Sequence, residues 1–199
     1  MSRENGYFYI ILTTVLLCIV FFSGCKPDSF QGTEMPPGLK APDFQLIDQQ
    51  ERLFRLSSQR GAVVLLFFGY TFCPDVCPLT LSHWKKVADL LGRSASDVRF
   101  VYITVDPERD KPAQLAAHLS VFNNDFIGLT GKAQDLGPVY EGYGVIHEKV
   151  QISDSSTGYL VNHTARTNLV DQNGDWRLTF AYGTAPEIIA HDIQLLLKN

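Results

Sequence analysis

The chain has 199 residues, a length that suits one globular domain with a full hydrophobic core and a short N-terminal addition. Its apolar content of 45% and charged content of 19% exclude an intrinsically disordered chain. The formal net charge is −4 and the sequence has no stripe of basic residues, so nothing in it favours nucleic-acid binding.

The N-terminus has the pattern of an export signal. A polar start containing Arg3 precedes an uncharged apolar run over residues 7–22, which is close to the length of a secretory hydrophobic region. A lipoprotein-like box closes on Cys25, so we predict a signal peptide over 1–24 and lipidation of Cys25. An uncleaved membrane anchor is the alternative, although the run is slightly short for one. Either way we expect a bacterial cell-envelope protein that is anchored to a membrane and faces the periplasm or the cell exterior.

The segment over residues 25–41 is rich in proline and glycine, which predicts a linker between the anchor and a folded domain over 42–199. The chain has four cysteines, and two of them belong to the N-terminal region. Only Cys73 and Cys77 remain for the folded domain.

The first part of this domain leads into the cysteine pair. Residues 44–54 predict a short β-hairpin, and residues 62–68 form an apolar run typical of a fully buried strand. Apolar residues then recur every three or four positions from Cys77 to Leu91, which predicts a helix. Cys73 and Cys77 therefore fall at a strand-to-helix turn, where unpaired amides and the helix dipole favour thiolate over thiol.

The rest of the chain continues the alternation of strands and helices. A second strand over 98–105 runs into a polar loop at Asp106. The later elements are a helix marked by Leu115 and Leu119, a strand over 126–129, a helix over 133–140, hairpins over 145–161 and 165–180, and a closing helix marked by Ile189 and Leu196. This order predicts an α/β fold, namely a thioredoxin-like mixed sheet flanked by helices, with an N-terminal β-hairpin and a mid-chain insertion. Functional groups are expected beyond the carboxyl ends of its parallel strands.

The spacing of Cys73 and Cys77 argues against two common roles for a cysteine pair. A disulfide between them would close a very small loop and recover little chain entropy, so a purely structural bridge is disfavoured. A thioredoxin-type oxidoreductase has two residues between its cysteines, whereas this chain has three. Such an enzyme also has a cis-proline before its hairpin strand, where this chain has His163. We expect the fold to bring His163 close to both sulfurs.

These three side chains predict a metal site. Two soft thiolates and one imidazole suit Cu(I) and, with modest rearrangement, Cu(II). Zinc is the competing metal, but structural zinc sites use four protein ligands and catalytic ones use three with a bound water. An open, sulfur-rich site with three ligands is better suited to passing copper on, so we predict copper at Cys73, Cys77 and His163.

Two acidic residues lie close to the predicted site. Asp75 stands between the cysteines and is a poor ligand for a soft metal, so it is expected to tune the charge of the site or to contact a partner, with a solvated turn residue as the alternative. Asp106 begins a loop that lacks calcium-site spacing and contains Arg109 and Lys111. We expect this loop to be structured and to lie beside the copper site, in reach of a partner. The other four histidines are assigned no metal role.

Three motifs together resemble the Sco/SenC family of copper chaperones. They are GYTFCPDVCP at 69–78, VDPERD at 105–110 and YLVNHT at 159–164, and the resemblance extends from about Pro42 to the C-terminus. It implies a thioredoxin-like fold, membrane tethering, and copper binding by Cys73, Cys77 and His163. Members of the family are often anchored by a transmembrane helix, and the lipoprotein box departs from that pattern.

The resemblance also implies a partner and a process. The implied function is delivery of copper to the binuclear copper site of cytochrome c oxidase subunit II, directly or through another periplasmic copper carrier. The alternative is a thiol-disulfide reductase that keeps the cysteines of that site reduced, in which Cys73 and Cys77 cycle and His163 only tunes the thiolate. A peroxiredoxin-like peroxidase is disfavoured, because cysteines four positions apart do not match a peroxidatic cysteine with a distant resolving one.

Overall fold

The computed structural model describes residues 29–152 and 158–198. This part of the chain contains ten strands, β1 (Thr33–Glu34), β2 (Gln45–Asp48), β3 (Leu53–Arg55), β4 (Val63–Gly69), β5 (Val98–Thr104), β6 (Ile127–Thr130), β7 (His147–Gln151), β8 (Tyr159–His163), β9 (Thr167–Val170) and β10 (Trp176–Phe180). The same residues form four α-helices, α1 (Val76–Leu91), α2 (Pro112–Ser120), α3 (Ala133–Gly142) and α4 (Pro186–Lys198).

Strand β4 lies inside an eight-stranded mixed sheet with the order β1-β10-β9-β4-β5-β6-β2-β3. It runs parallel to β5 and antiparallel to β9, and β5 runs parallel to β6. All seven residues of β4 are buried, as expected for an apolar strand covered on both faces. Helix α4 contacts both β4 and α1, while α2 packs on β6 and α3 contacts β2. Because β4 and β5 are parallel, the loops that follow them meet at one edge of the sheet.

The predicted α/β fold with a thioredoxin-like mixed sheet is confirmed. The N-terminal hairpin is the antiparallel pair β2–β3, which joins the main sheet through β6. Strands β7 and β8 form a separate two-stranded sheet, inserted in the chain between α3 and β9. This small sheet, the β7–β8 hairpin, ends in His163.

One strand begins later than the sequence predicted. The strand expected from residue 145 begins at His147. Gly144 takes a left-handed φ of 63°, and the amide of Val145 donates to the carbonyl of Tyr140 at 2.8 Å. This turn closes the end of α3, so the chain becomes extended only two residues further on.

Part of the predicted linker is structured. Strand β1 pairs antiparallel with β10, and the amides of Gln31 and Gly32 donate to the carboxylate of Asp192 at 3.0 and 2.7 Å. Lys40 forms an ion pair with Asp175. Residues 31–41 thus contact the folded domain, through two-residue strands and a single buried carboxylate that leave no periodic signal in a sequence.

The predicted signal peptide over 1–24 and the predicted lipid attachment at Cys25 lie outside the described residues. Among residues 29–152 and 158–198, no helix combines the length and apolar character that crossing a bilayer requires.

Candidate metal site

Cys73 and Cys77 lie at the turn between β4 and α1, as the sequence predicted. Cys73 is half-buried in the turn, and Cys77 is fully buried in the first turn of the helix. The backbone amide of Cys77 donates to the Cys73 sulfur at 3.4 Å. This amide belongs to the unpaired N–H groups of the helix N-terminus, so a helix end of partial positive charge faces the Cys73 sulfur.

His163 reaches the cysteines from the last position of β8. Its Nε2 lies 3.7 Å from the Cys77 sulfur, and its Nδ1 lies 3.2 Å from the carbonyl oxygen of Thr164. A carbonyl oxygen can only accept, so Nδ1 carries the hydrogen and the lone pair of Nε2 points to the cysteines. The ring is held edge-on against Phe67 and Tyr70, with centroids 6.0 and 5.9 Å away. The imidazole is thus oriented in the way that metal-binding histidines usually are.

The three side chains fit a single soft metal ion. One sulfur from each cysteine and one nitrogen of His163 lie within 4.8 Å of one another, and within the described part of the chain this is the one such group of His, Cys, Asp and Glu side chains. Metal–sulfur and metal–nitrogen bonds of about 2.0–2.3 Å bring neighbouring ligand atoms to roughly 3.3–4 Å. The separation of 3.7 Å between the Cys77 sulfur and Nε2 already falls in that range.

The two sulfurs have opposite electrostatic environments. The pKa of Cys73 is lowered, chiefly because the Cys77 thiol donates a hydrogen bond to it, with further help from the backbone amides of Asp75 and Cys77. The pKa of Cys77 is raised, first by its burial and then by the adjacent Cys73 thiolate. Without metal, the pair therefore holds one proton on the buried sulfur. Binding a metal ion between both thiolates requires release of that proton.

Asp106 lies two residues beyond the end of β5, and its side chain contacts Arg109 and Tyr159. Its carboxylate is buried, where it forms an ion pair with Arg109 and accepts a 2.8 Å hydrogen bond from the Tyr159 hydroxyl. Arg109 in turn donates to the Tyr159 carbonyl at 3.0 Å. Asp106 thus reaches the site only through β8, the strand that ends in His163.

Arg109 joins the β7–β8 hairpin to the cysteine turn. Its guanidinium carbon lies 3.7 Å from the ring centroid of Tyr159 and 4.7 Å from that of Phe72, which precedes Cys73 in the turn. We call Asp106, Arg109 and Tyr159 the hairpin clamp. All three belong to the sequence motifs that carried the resemblance, but the motifs gave no sign that these residues contact one another.

Asp110 anchors the other side of the cysteine turn. Its buried carboxylate accepts hydrogen bonds from the Thr71 amide at 3.0 Å, from the Thr71 hydroxyl at 2.6 Å and from the Thr104 hydroxyl at 2.7 Å. Burial raises its pKa, against the lowering effect of these hydrogen bonds. The role of Asp110 was not predicted from the sequence, because a carboxylate that stabilises a turn looks like any other acidic residue in a loop.

Asp75 and two of the other histidines lie near the metal ligands without joining them. Asp75 is exposed at the N-cap of α1 and makes no capping hydrogen bond with its side chain. His147 pairs with His163 across the β7–β8 hairpin, but its ring packs on Tyr140 at 4.6 Å. His118, on α2, packs against the rings of Tyr102 and Phe122. None of these joins the Cys-Cys-His group among the described residues.

Comparison with known proteins gives a consistent result. The family model described as SCO1/SenC matches residues 33–198. A SCO2-like protein of Rickettsia conorii is 35% identical over 145 residues, which cover 73% of this chain and 71% of the relative. The structure of Bradyrhizobium japonicum ScoI with copper bound has a TM-score of 0.73 and 36% identity, covering 80% of this chain and 100% of that one. The solution structure of apo Sco1 from Thermus thermophilus has a TM-score of 0.75 and 35% identity over 87% of this chain and 100% of that one. The chain therefore belongs to the SCO1/SenC family.

Proposed function

We propose that the protein is a membrane-tethered copper metallochaperone. In this proposal it binds copper through Cys73, Cys77 and His163 and delivers it to the binuclear copper site of cytochrome c oxidase subunit II. The observation that carries the proposal is the convergence of two sulfurs and one oriented imidazole within 4.8 Å. The presence of copper in the related ScoI of Bradyrhizobium japonicum supports copper as the metal.

The unequal exposure of the ligands suits transfer rather than storage. Cys73 and His163 are half-buried, whereas Cys77 is fully buried. Three protein ligands leave a soft metal open to a fourth. A thiolate of the partner protein can therefore add to the copper ion from the exposed side. The copper bond to Cys73 then breaks first and the bond to the buried Cys77 last, and the pair regains the one proton that it holds on Cys77 without metal.

A thiol-disulfide reductase is the second candidate, and one observation favours it. Cys73 has a lowered pKa and is accessible, while Cys77 is buried and protonated, which is the arrangement of an attacking thiolate and its resolving partner. In that reaction the Cys73 thiolate attacks a substrate disulfide, one substrate sulfur leaves as a thiol, and Cys77 then releases the second. Cys73 and Cys77 end as a disulfide, so each cycle needs an external dithiol reductant.

A transfer experiment separates the two functions. The copper-loaded protein is mixed anaerobically with the copper-free, reduced copper-binding domain of oxidase subunit II, and copper in each partner is measured after separation. A chaperone should move copper into the reduced partner without oxidising its own cysteines. A reductase should instead reduce an oxidised partner domain in the absence of copper, and should leave a reduced partner unmetallated. Replacement of His163 by alanine should abolish the first activity and spare most of the second.

The proposed location follows from the sequence alone. We infer a signal peptide over 1–24, a lipid on Cys25 and a body that faces the periplasm or cell exterior, where oxidase subunit II or a second copper carrier could meet it. The exposed Asp75 and the exposed Phe72 flank the half-buried Cys73, so they are the side chains that a docking partner would meet first.

A further inference from the structure

A tyrosine hydroxyl lies beside the buried sulfur of the site. Tyr102 is on β5 and is fully buried. A Cβ atom placed on Gly69 would stand 2.7 Å from the Tyr102 hydroxyl and 2.8 Å from the Cys77 sulfur. The two atoms therefore share the small space above the Gly69 α-carbon.

Among the described residues no hydrogen bond of ordinary geometry reaches this hydroxyl, and the sulfur with which it interacts is that of Cys77. The ring of Tyr102 packs against His118 at 6.2 Å, but Nε2 of His118 is also unpaired, so it does not accept from the hydroxyl. A buried hydroxyl without a partner is unfavourable and uncommon in folded proteins. Its position next to Cys77 indicates what the missing acceptor is.

We propose that the Tyr102 hydroxyl donates a hydrogen bond to the Cys77 thiolate when the site carries copper, and so shifts the bound metal toward Cu(I). This inference rests on the copper-binding function proposed above. A neutral thiol is a weak acceptor, whereas a thiolate is a strong one. Copper is bound by thiolates rather than thiols, so in the loaded site a strong acceptor stands beside this buried donor.

The consequence for the metal follows from the chemistry of the sulfur. A hydrogen bond withdraws electron density from the thiolate and weakens its donation to Cu(II) more than to Cu(I). Hydrogen bonding to a ligating cysteine is one of the ways in which proteins tune the potential of copper sites. Tyr102 is therefore a positioning and tuning residue, since it acts on the metal through Cys77.

Gly69 makes the arrangement sterically possible. Its backbone is not in the left-handed region, so conformation does not explain why glycine occupies this position. Any side chain there would come within 3 Å of both the hydroxyl and the sulfur, and would push them apart. The absence of a Cβ thus allows the donor and the acceptor to meet.

The test compares Tyr102→Phe with Tyr140→Phe in the purified, copper-loaded protein. Both changes remove one hydroxyl from a buried tyrosine, but that of Tyr140 donates to the Thr104 carbonyl at 2.7 Å rather than facing a sulfur. The readouts are the energy of the sulfur-to-Cu(II) charge-transfer band and the Cu(II)/Cu(I) potential. We expect Tyr102→Phe to keep one-to-one binding, to move the band to lower energy, and to reduce the preference for Cu(I) about tenfold, equivalent to about 59 mV for one electron. Tyr140→Phe should change neither readout.

Several other results would overturn the role proposed for the Tyr102 hydroxyl. An unchanged band and potential in Tyr102→Phe, or loss of its one-to-one binding, would overturn the role of the hydroxyl while leaving the proposed function intact. Failure of the unaltered protein to bind copper would overturn both. If Tyr102→Phe does not fold, Gly69→Ala replaces it, because the added methyl group should separate donor from acceptor and move the band in the same direction. A band that stays in place in that variant would also overturn the inference.

Discussion

Replacing Arg109 by alanine is expected to release the β7–β8 hairpin, and with it His163, from the cysteine turn. The side chains of Arg109 and Asp106 are 17% and 0% exposed, so the change leaves a buried carboxylate without its countercharge. Removing one partner of a buried ion pair costs about 3–5 kcal/mol. The substitution also removes the stacking of the guanidinium on Tyr159. We include this contact in the same range, because the energies of interactions that share a residue are not additive.

The partial exposure of Arg109 places the expected loss near the lower end, at about 3 kcal/mol of unfolding free energy. This is a large share of the roughly 5–15 kcal/mol by which most domains are stable. Urea unfolding of the metal-free protein measures the loss. Amide hydrogen exchange should show that the protection lost at native conditions is concentrated in β7 and β8, and copper should dissociate faster from the variant.

A second ion pair between the same loop and the same hairpin provides a matched control. Glu108 and Lys149 also form an ion pair between them, but their side chains are 70% and 40% exposed. Water and salt screen such a pair, so Glu108→Ala should scarcely change stability, exchange or copper retention. The reasoning is refuted if Arg109→Ala costs no more than Glu108→Ala, or if its lost protection is spread evenly over the sheet.

Three further expectations concern the site and its anchor. Cys73→Ser and Cys77→Ser should each reduce retained copper sharply, as measured by metal analysis after desalting; unchanged copper content would remove that cysteine from the site. Burial raises the pKa of Asp110, so its protonated form stabilises the fold: this contribution is fully present below about pH 4 and is lost as pH rises through the folded pKa. Urea unfolding should therefore show a smaller fall in unfolding free energy between about pH 4 and about pH 7 for Asp110→Asn than for the unaltered protein. An equal fall in both proteins would contradict the raised pKa of Asp110. Cys25→Ser should move the protein from the membrane to the soluble fraction on cell fractionation, whereas retention in the membrane would favour an uncleaved anchor.

The sequence carried enough information to predict the fold and to bring His163 to a cysteine pair 86 positions away in the chain. The apolar run over 62–68 and the β-prone run over 98–105 identified two buried strands, whose parallel pairing puts the cysteine turn beside the Asp106 loop. His163, the last residue of β8, stands where a thioredoxin-type enzyme has its cis-proline, so the predicted fold places it beside the cysteine turn. The strands were predictable because apolar runs are local signals in a sequence. The order of the strands then determines which loops lie side by side.

The contacts that hold the site in place were not predictable in the same way. The hairpin clamp joins residues fifty positions apart, and Asp110 reaches Thr71 across thirty-nine positions. The hydroxyl of Tyr102 was hidden because tyrosine in an apolar strand reads as a packing residue. Such contacts depend on the orientation of single side chains in the folded structure, and no periodic pattern reports that orientation.

The most direct test of the account is an anaerobic Cu(I) titration of the fully reduced protein beside its His163→Ala and His147→Ala variants. The two histidines are paired across the β7–β8 hairpin, but only His163 faces the Cys77 sulfur. We predict tight one-to-one binding in the unaltered protein and in His147→Ala, and a sharp loss of affinity in His163→Ala. Weak binding that is indifferent to His163 would contradict the three-ligand site and leave a dithiol that acts as a reductase.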